Sequence, residues 1–362
     1  MKPNTASAPA RQKTVLASIN EALHSMMEAD ERVIVLGEDI LDPYGGAFKV
    51  TKGLSTRFPE RVLTTPISES AIVGMANGMA MRGLRPVAEL MFGDFVALAA
   101  DQLINHAAKF SWMYNDAVDV PVVVRTPVGG RRGYGPTHSQ SLEKHFIGVP
   151  GLTVLAPHIL GDPGQLLHQA TLECDSPVLF IESKLCYGKP LMAGIEGMTA
   201  KTHSDENCIF PTVRLSHDQV EMPDAMLFCY GAMVPHCVQA VARLRQDEEL
   251  FVDLVIFSQL SPVPEGHLQW VLAKACPEVM VYAEEGSPTG GWTAEMLARV
   301  EEQRSGQSAL KHARIGSRPT PLASSRELEQ STLPQADDIV EAVGEYRCHQ
   351  VTRVVDQEAE VD

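Results

Sequence analysis

The carboxylate of Glu69 stands in a sequence setting that suits proton transfer. It follows Thr65-Pro66-Ile67-Ser68 and precedes the small-residue segment SAIVGMANGMAMRG, which predicts a helix. A carboxylate in the first helical turn interacts favourably with the helix dipole, so Glu69 can serve the helix start alone. The functional alternative is a carboxylate in a partly apolar cleft that hydrogen-bonds a ring nitrogen and exchanges a proton with it. The residues by themselves leave both interpretations open.

A second group of chemically capable residues lies in the glycine-rich stretch GGRRGYGPTHSQ, residues 129–140. His138 titrates near neutral pH when unperturbed, so it is either a proton carrier or a structural loop histidine. Arg131 and Arg132 can meet a carboxylate substrate, an acidic neighbouring chain or only water. Phe95, in the loop Phe92-Gly93-Asp94-Phe95, is either core packing or a platform for a flat heterocycle.

Several familiar catalytic signatures are missing from the sequence. It contains no GxxxxGK[ST] loop, no GxGxxG after the first predicted strand, no HExxH and no GxSxG. The seven cysteines form no CxxC pair, which argues against zinc and a disulfide framework and indicates free thiols in a reducing compartment. We therefore predict no metal ligands in this chain.

Composition restricts the class of protein further. The 362 residues are 44% hydrophobic and 21% charged, as in a globular protein of two or three domains. A formal charge of -16 argues against nucleic acid and anionic membranes as partners. No apolar run approaches the length of a membrane span, and MKPNTASAPARQK at the start lacks the apolar segment of a secretory signal. We expect a cytoplasmic location.

Hydrophobic periodicity places these residues on alternating helices and strands. Residues 14–29 predict a helix, 33–39 a buried strand and 94–110 another helix, and strands at 225–231, 251–257 and 279–285 begin a second series. The alternation predicts an α/β protein with two parallel-sheet domains. The expected organisation is a flexible leader (1–13), a first domain (14–188), a linker (189–222), a second domain (223–344) and an acidic tail (345–362).

Taken together, these segments resemble the beta subunit of the thiamine-diphosphate-dependent decarboxylating component of 2-oxo acid dehydrogenase complexes, the group that includes pyruvate, branched-chain 2-oxo acid and acetoin dehydrogenases. The resemblance runs from about residue 14 to 343. The segments that carry it are LGED (36–39), GGAFKVTKGL (45–54), TPISE (65–69), GLRPVAEL (83–90), DQLINHAAK (101–109), VPVVVRTPVGG (120–130), GPTHSQSLE (135–143), PGLTVLAP (150–157), CYG (229–231) and LPQADDIVEAV (333–343).

This resemblance implies a transketolase-like pyrimidine-binding domain followed by a transketolase C-terminal-like domain. It implies that Glu69 hydrogen-bonds the aminopyrimidine ring and promotes its imino tautomer, which deprotonates the thiazolium carbon. Phe95 matches the aromatic residue against that ring, and Ile67 is a further cofactor contact. His138 matches the catalytic histidine of the HSQ loop, and Glu38 matches an acid that relays protons near the cofactor.

The family binds Mg²⁺ and the diphosphate through a GDG…NN signature, which this sequence lacks. The resemblance therefore implies that a separate alpha subunit holds the metal and shares the cofactor in an α₂β₂ heterotetramer. Thr64 and Gly148 stand where relatives commonly have Asp and His, so the particular 2-oxo acid is left open. Cys174 and Ser176 replace the usual side chains of the family's structural potassium site, which leaves that ion open too.

The main interpretation is oxidative decarboxylation of a 2-oxo acid, with acyl transfer to the lipoyl domain of an acyltransferase. One alternative is a thiamine-dependent acyl transferase of secondary metabolism without a lipoyl acceptor. The other is a non-catalytic scaffold subunit, which the presence of Glu69, Phe95 and His138 argues against.

Overall fold

A computed structural model describes residues 12–273 and 276–348. The thirteen strands found there are β1 (Val33–Gly37), β2 (Val62–Thr64), β3 (Arg85–Glu89), β4 (Val123–Val128), β5 (Thr153–Leu155), β6 (Val178–Ser183), β7 (Met198–His203), β8 (Thr212–His217), β9 (Ala225–Cys229), β10 (Val252–Phe257), β11 (Gln259–Ser261), β12 (Val279–Ala283) and β13 (Lys311–Ile315). The α-helices are α1 (Val15–Ala29), α2 (Leu54–Arg57), α3 (Glu69–Ala80), α4 (Ala108–Met113), α5 (Pro163–Leu172), α6 (Val234–Asp247), α7 (Glu265–Leu272), α8 (Trp292–Gln303), α9 (Arg326–Thr332) and α10 (Ala336–Cys348).

The first sheet has seven strands in the order β11-β5-β6-β4-β3-β1-β2. Its strands run parallel except β11, which pairs antiparallel with β5 although it follows β10 in the chain. The central strands β4 and β6 are buried along their whole length, as expected for a parallel sheet covered on both faces. Their carboxyl ends therefore open on one common edge.

The second sheet has six strands in the order β13-β12-β9-β10-β8-β7. The first four run parallel, and β8 and β7 add an antiparallel pair. The expectation of two mostly parallel α/β units is confirmed.

The expected linker at 189–222 is wrong in part, because β7 and β8 both lie within it. On β7, burial is confined largely to Met198, so no apolar alternation marks the strand. On β8, Arg214 is buried through two hydrogen bonds to the Asp253 carboxylate, at 2.9 and 2.6 Å. A buried arginine in an ion pair thus occupies a strand position where the hydrophobic pattern of a strand would show an apolar residue.

The helix predicted at 94–110 is also broken. Residues Gly93–Ala99 form a 3₁₀ helix and Gln102–Ala107 a π-helix before α4 begins. The first residue of the 3₁₀ helix is tightly packed, since a Cβ on Gly93 would lie 2.5 Å from Val128 Cγ1. The helix predicted at 14–29 is confirmed: Thr14 caps it by accepting from Ala17 N at 3.2 Å.

The chain ends only partly overlap the described residues. Residues 1–11 of the expected leader and 349–362 of the expected tail lie outside them. The first residues of that tail, 345–348, continue α10 instead. Within the described ranges, no helix is both long and apolar enough to cross a bilayer.

Candidate active site

The residues singled out in the sequence gather at the carboxyl edge of the first sheet. Glu38 directly follows β1, and Phe95 lies in the 3₁₀ helix after β3. His138 lies in the long loop after β4, and Glu69 begins α3. Ligands of open parallel sheets bind beyond these strand ends. Ile67 lies in the loop after β2, so the topology places all five predicted site residues at an edge suited to binding.

Glu69 combines the helix-start position with burial. It is the first residue of α3, and it is only 6% exposed. Ser68, at the N-cap, makes no side-chain capping hydrogen bond. The interaction with the helix dipole does not require burial, which costs a carboxylate its hydration, so the burial favours the functional alternative. Ile67, two residues earlier, is 80% exposed and would be available to a ligand or partner.

Glu38 is the second buried carboxylate at this edge. Its Oε1 atom has no hydrogen-bond partner within the described residues. Burial raises the pKa of Glu38, and the nearby charge of Glu69 raises it further. A raised pKa favours the protonated form of Glu38, which suits a group that exchanges protons.

Phe95 and His138 contact each other and share a third aromatic neighbour, Phe92, for which the sequence predicted no role. The His138 ring lies 4.9 Å from that of Phe92 and 5.2 Å from that of Phe95, both edge-to-face. Tyr134 packs edge-on against Phe92 at 6.0 Å. His138 is therefore half-buried in an aromatic cluster rather than free in solvent.

The 129–140 loop is held by carboxylates from the second α/β unit. Gly130 N donates to Glu285 Oε1 at 2.8 Å, and Gly133 N donates to Glu329 Oε2 at 2.8 Å. A Cβ on Gly129 would lie 2.5 Å from Glu285 Oε1, so only glycine permits this approach. The position of His138 therefore depends on both units.

The two arginines of this loop have partners within the chain. Arg131 pairs with Glu285 at 3.4 Å and donates to the Pro334 carbonyl. Arg132 donates to the Lys184 carbonyl at 3.1 Å. The sequence left a carboxylate substrate, a neighbouring chain and water open as partners of these arginines. The contacts found here are instead with residues of this chain.

Sequence reasoning missed Lys184, which follows β6 and is 1% exposed. Its Nζ donates to the His138 carbonyl and lies 5.2 Å from the Phe92 ring. Burial lowers the pKa of Lys184 to about 8, against the opposing charges of Asp94 and Glu285. Lys184 is the first residue after β6, and ligands of parallel sheets bind beyond the strand ends. Examining the segment after β6, as was done after β4, would have identified this residue.

Asp94 completes the support of the loop. Its Oδ1 accepts from Gln140 N at 3.2 Å and from Gln140 Nε2 at 2.8 Å. Its buried Oδ2 atom has no partner among the described residues. Asp94 and Lys184 thus fix the two sides of His138 through the neighbouring backbone.

Deeper in the sheet lies a separate group of charged side chains. Arg125 of β4 donates to both oxygens of Glu182 at 2.7 and 2.6 Å, and to Glu89. Tyr187 donates to Glu182 Oε2 at 2.6 Å. All four residues are buried.

Comparison with known proteins defines the class first. Residues 11–189 match the family model described as "Transketolase, pyrimidine binding domain", and residues 217–339 match "Transketolase, C-terminal domain". A solved structure titled "Split gene transketolase, inactive beta4 tetramer" superposes with a TM-score of 0.68 over 91% of this chain and 96% of that one. At 20% identity it supports the fold alone.

Relatives in sequence define the family more narrowly. The chain is 34% identical to the pyruvate dehydrogenase E1 component subunit beta-1 of Arabidopsis thaliana, over 92% of this chain and 89% of that protein. It is 35% identical to the acetoin:2,6-dichlorophenolindophenol oxidoreductase subunit beta of Cupriavidus necator, over 92% and 97%. It is 32% identical to the 3-methyl-2-oxobutanoate dehydrogenase subunit beta of Mycobacterium tuberculosis, over 91% and 90%. The chain belongs to the family of E1 beta subunits of 2-oxo acid dehydrogenases, which confirms the resemblance.

Proposed function

We propose that this chain supplies the pyrimidine-binding half of a thiamine diphosphate site and, with an alpha subunit, decarboxylates a 2-oxo acid. The single observation that carries the proposal is the buried pair Glu38 and Glu69 at the carboxyl edge of the first sheet. Buried acids without a basic partner are costly, so a site that keeps them has a use for their proton.

The residues present fit the pyrimidine part of the cofactor. An aminopyrimidine ring offers one nitrogen that accepts a proton and an amino group that donates a hydrogen bond. Glu69 suits the first, and Glu38, whose Oε1 is unpartnered and whose pKa is raised by burial and by the charge of Glu69, would support that exchange. Phe95 and the exposed Ile67 would contact the faces of the ring. When bound, the cofactor supplies the carbon that attacks the substrate carbonyl and the electron sink that allows loss of carbon dioxide.

The side chains of this protein then divide the proton transfers between them. Glu69 exchanges a proton with the ring nitrogen, and Glu38 relays it from its raised-pKa position. His138, whose ring contacts that of Phe95, handles protons at the later acyl-transfer stage. Burial keeps water from competing for these protons.

The diphosphate and Mg²⁺ belong to the partner in this proposal, because the sequence lacks the GDG…NN signature. Large apolar side chains at the surface support contact with a partner chain. They include Ile67 at 80% exposed and Trp112 at 85%. The proposed assembly is an α₂β₂ heterotetramer that delivers the acyl group to a lipoyl acyltransferase. The structural potassium ion stays open, and the cytoplasmic location stays a prediction.

Calorimetry tests the division of the site. Thiamine diphosphate with Mg²⁺ is titrated into this chain alone, into the assembly with its alpha subunit, and into the alpha subunit alone. We expect tight binding only by the assembly. Tight Mg²⁺-dependent binding by this chain alone would overturn the proposed division.

A decarboxylation assay on the same assembly tests the activity. Pyruvate and 3-methyl-2-oxobutanoate are supplied in separate reactions, with and without a lipoyl domain. Turnover that requires the lipoyl domain supports the dehydrogenase. Acyl transfer to another acceptor without a lipoyl domain would favour the alternative acyl transferase.

A further inference from the structure

Three potential metal ligands meet in the second α/β unit, away from the candidate active site. His203 ends β7, Asp205 lies in the following turn, and His267 lies on α7. Their ligand atoms all lie within 4.8 Å of one another. Asp205 Oδ2 is 3.6 Å from His203 Nε2 and 3.8 Å from His267 Nε2. The chain thus brings two imidazoles and one carboxylate oxygen to a common point.

Hydrogen bonds orient two of these side chains, Asp205 and His267. Asp205 Oδ1 accepts from the backbone N–H groups of Asn207 and Cys208, at 2.8 and 2.9 Å, which turns Oδ2 toward the histidines. His267 Nδ1 lies 3.0 Å from Thr212 Oγ1. Partners of this kind orient ligands and fix the histidine tautomer in metal sites.

The third ligand is fixed by stacking. The His203 ring lies parallel to that of Trp270, with 5.0 Å between centroids and 11° between planes. Gly266 makes room for the carboxylate, because a Cβ there would lie 2.8 Å from Asp205 Oδ2. The backbone and its neighbours therefore already define the positions of all three ligands.

The spacing suits a small ion. Zinc bonds to histidine nitrogen and carboxylate oxygen are about 2.0–2.2 Å long, which places tetrahedral donor atoms roughly 3.3–3.6 Å apart. The measured 3.6 Å lies at the top of this range and 3.8 Å just above it, while the three ligand atoms are up to 4.8 Å apart, so side-chain rotations would have to close the site around an ion. His203 and Asp205 are partly exposed, which provides a path for the ion and for a water ligand.

The tautomer of His267 distinguishes the empty from the loaded state. Its Nε2 lies 3.2 Å from the Cys208 carbonyl, to which it donates when it carries the proton. With the proton on Nδ1 instead, that nitrogen donates to the Thr212 hydroxyl and the Nε2 lone pair faces the Cys208 carbonyl, which would have to move aside or become a further ligand when an ion binds.

We propose that His203, Asp205 and His267 form a site for a divalent transition-metal ion, with Zn²⁺ the best match. Imidazole with one carboxylate favours such ions over Mg²⁺ and Ca²⁺, which prefer oxygen alone. The ion ties the turn after β7 to α7 and leaves a position for water. The sequence analysis predicted no metal ligands in this chain from cysteine spacing, and cysteine takes no part in this site.

The test uses the full chain, freed of metals by chelation and without thiamine diphosphate. Zn²⁺ is titrated by calorimetry, and Co²⁺ is followed by its visible absorption. We expect one equivalent to bind, with affinity weakened about tenfold or more in His203→Ala and in Asp205→Asn. Both side chains are near the surface, so neither change should prevent folding.

His168→Ala is the matched control, since His168 lies 3.7 Å from Glu173 without a second histidine. It should bind Zn²⁺ as the unchanged chain does. Zn²⁺ should also raise the melting temperature of the unchanged chain and of this control, and raise it less in the two site variants. No stoichiometric binding, or equal binding by all four proteins, would overturn the site. Neither outcome bears on the thiamine diphosphate proposal, because the two sites share no residue.

Discussion

Two groups of buried carboxylates lie in the first α/β unit, and they differ in what faces them. Glu89 and Glu182 flank the Arg125 guanidinium, which donates to both of them. Glu38 and Glu69 form no ion pair with a basic side chain within residues 12–273 and 276–348, and Glu38 Oε1 lacks any hydrogen bond there. Hydrogen bonds from a cation hold the first group, whereas the second has no basic partner, which is the arrangement that the proposed proton exchange requires.

The largest effect is expected from Glu69→Gln. The amide keeps the size and still hydrogen-bonds, but it cannot exchange a proton with a ring nitrogen. Positioned acid–base groups contribute about 10²–10⁴-fold, so turnover of the assembled enzyme should fall by that much or more. The melting temperature should change little. Hydrogen–deuterium exchange at the thiazolium carbon isolates the step, and exchange as fast as in the unchanged enzyme would return Glu69 to a helix-start role.

Arg125→Met should show the opposite pattern, a loss of stability. It leaves Glu89 and Glu182 buried without their cation, and breaking a buried pair in this way costs about 3–5 kcal/mol. Urea and thermal unfolding of the full chain measure the loss. Arg299→Met is the control, because its pair with Glu295 at 2.8 Å is partly exposed and worth a few tenths of a kcal/mol. Similar losses in both variants would refute the contrast.

The sequence predicted two parallel-sheet α/β units, which the fold confirms, whereas the roles of the site residues stay predictions. Glu69 and His138 were singled out because small residues, glycine and proline mark their helix and loop, and the family resemblance supplied their expected roles. Arg214 and Lys184 were not interpreted correctly, because their burial depends on partners far along the chain, Asp253 and the His138 carbonyl. The exact domain boundaries stay a prediction.

The same limit applies to loop anchoring. Glu285 and Glu329 hold the 129–140 loop across more than 150 residues of chain, at 2.8 Å in each case. No periodicity within either segment indicates that contact. Local chemistry is readable from sequence, whereas the choice between a paired and an unpaired charge requires the fold.

His138→Ala tests whether the aromatic cluster belongs with the proton-exchanging group. Single-turnover decarboxylation should be largely retained, while acylation of a lipoyl domain should fall by about 10²-fold, at the lower end for acid–base groups. Assembly and cofactor binding should persist, since the interactions of the ring with Phe92, Phe95 and Thr137 are all local to this cluster. His168→Ala again serves as the control. Unchanged rates in both assays would make His138 structural.

The smallest effect concerns Lys184, a buried cation whose pKa burial lowers to about 8. An unfolded lysine has a pKa near 10.4, so between about pH 8 and 10.4 the unfolded chain binds more protons than the folded one. Stability from this group therefore rises with pH across that interval, and below pH 8 the burial of its charge is a constant penalty. Lys184→Met removes the penalty but also the hydrogen bond to the His138 carbonyl, so the two effects oppose each other at neutral pH.

What distinguishes the variant is therefore its pH dependence. The melting temperature of the variant minus that of the unchanged chain should be flat below pH 8 and decrease as the pH rises toward 10. Lys201→Met, at an exposed position on β7, should give a difference that does not follow this course. A constant difference for Lys184→Met from pH 7 to 10 would mean that Lys184 is paired as fully as Arg125, and the contrast between the two groups would not extend to it.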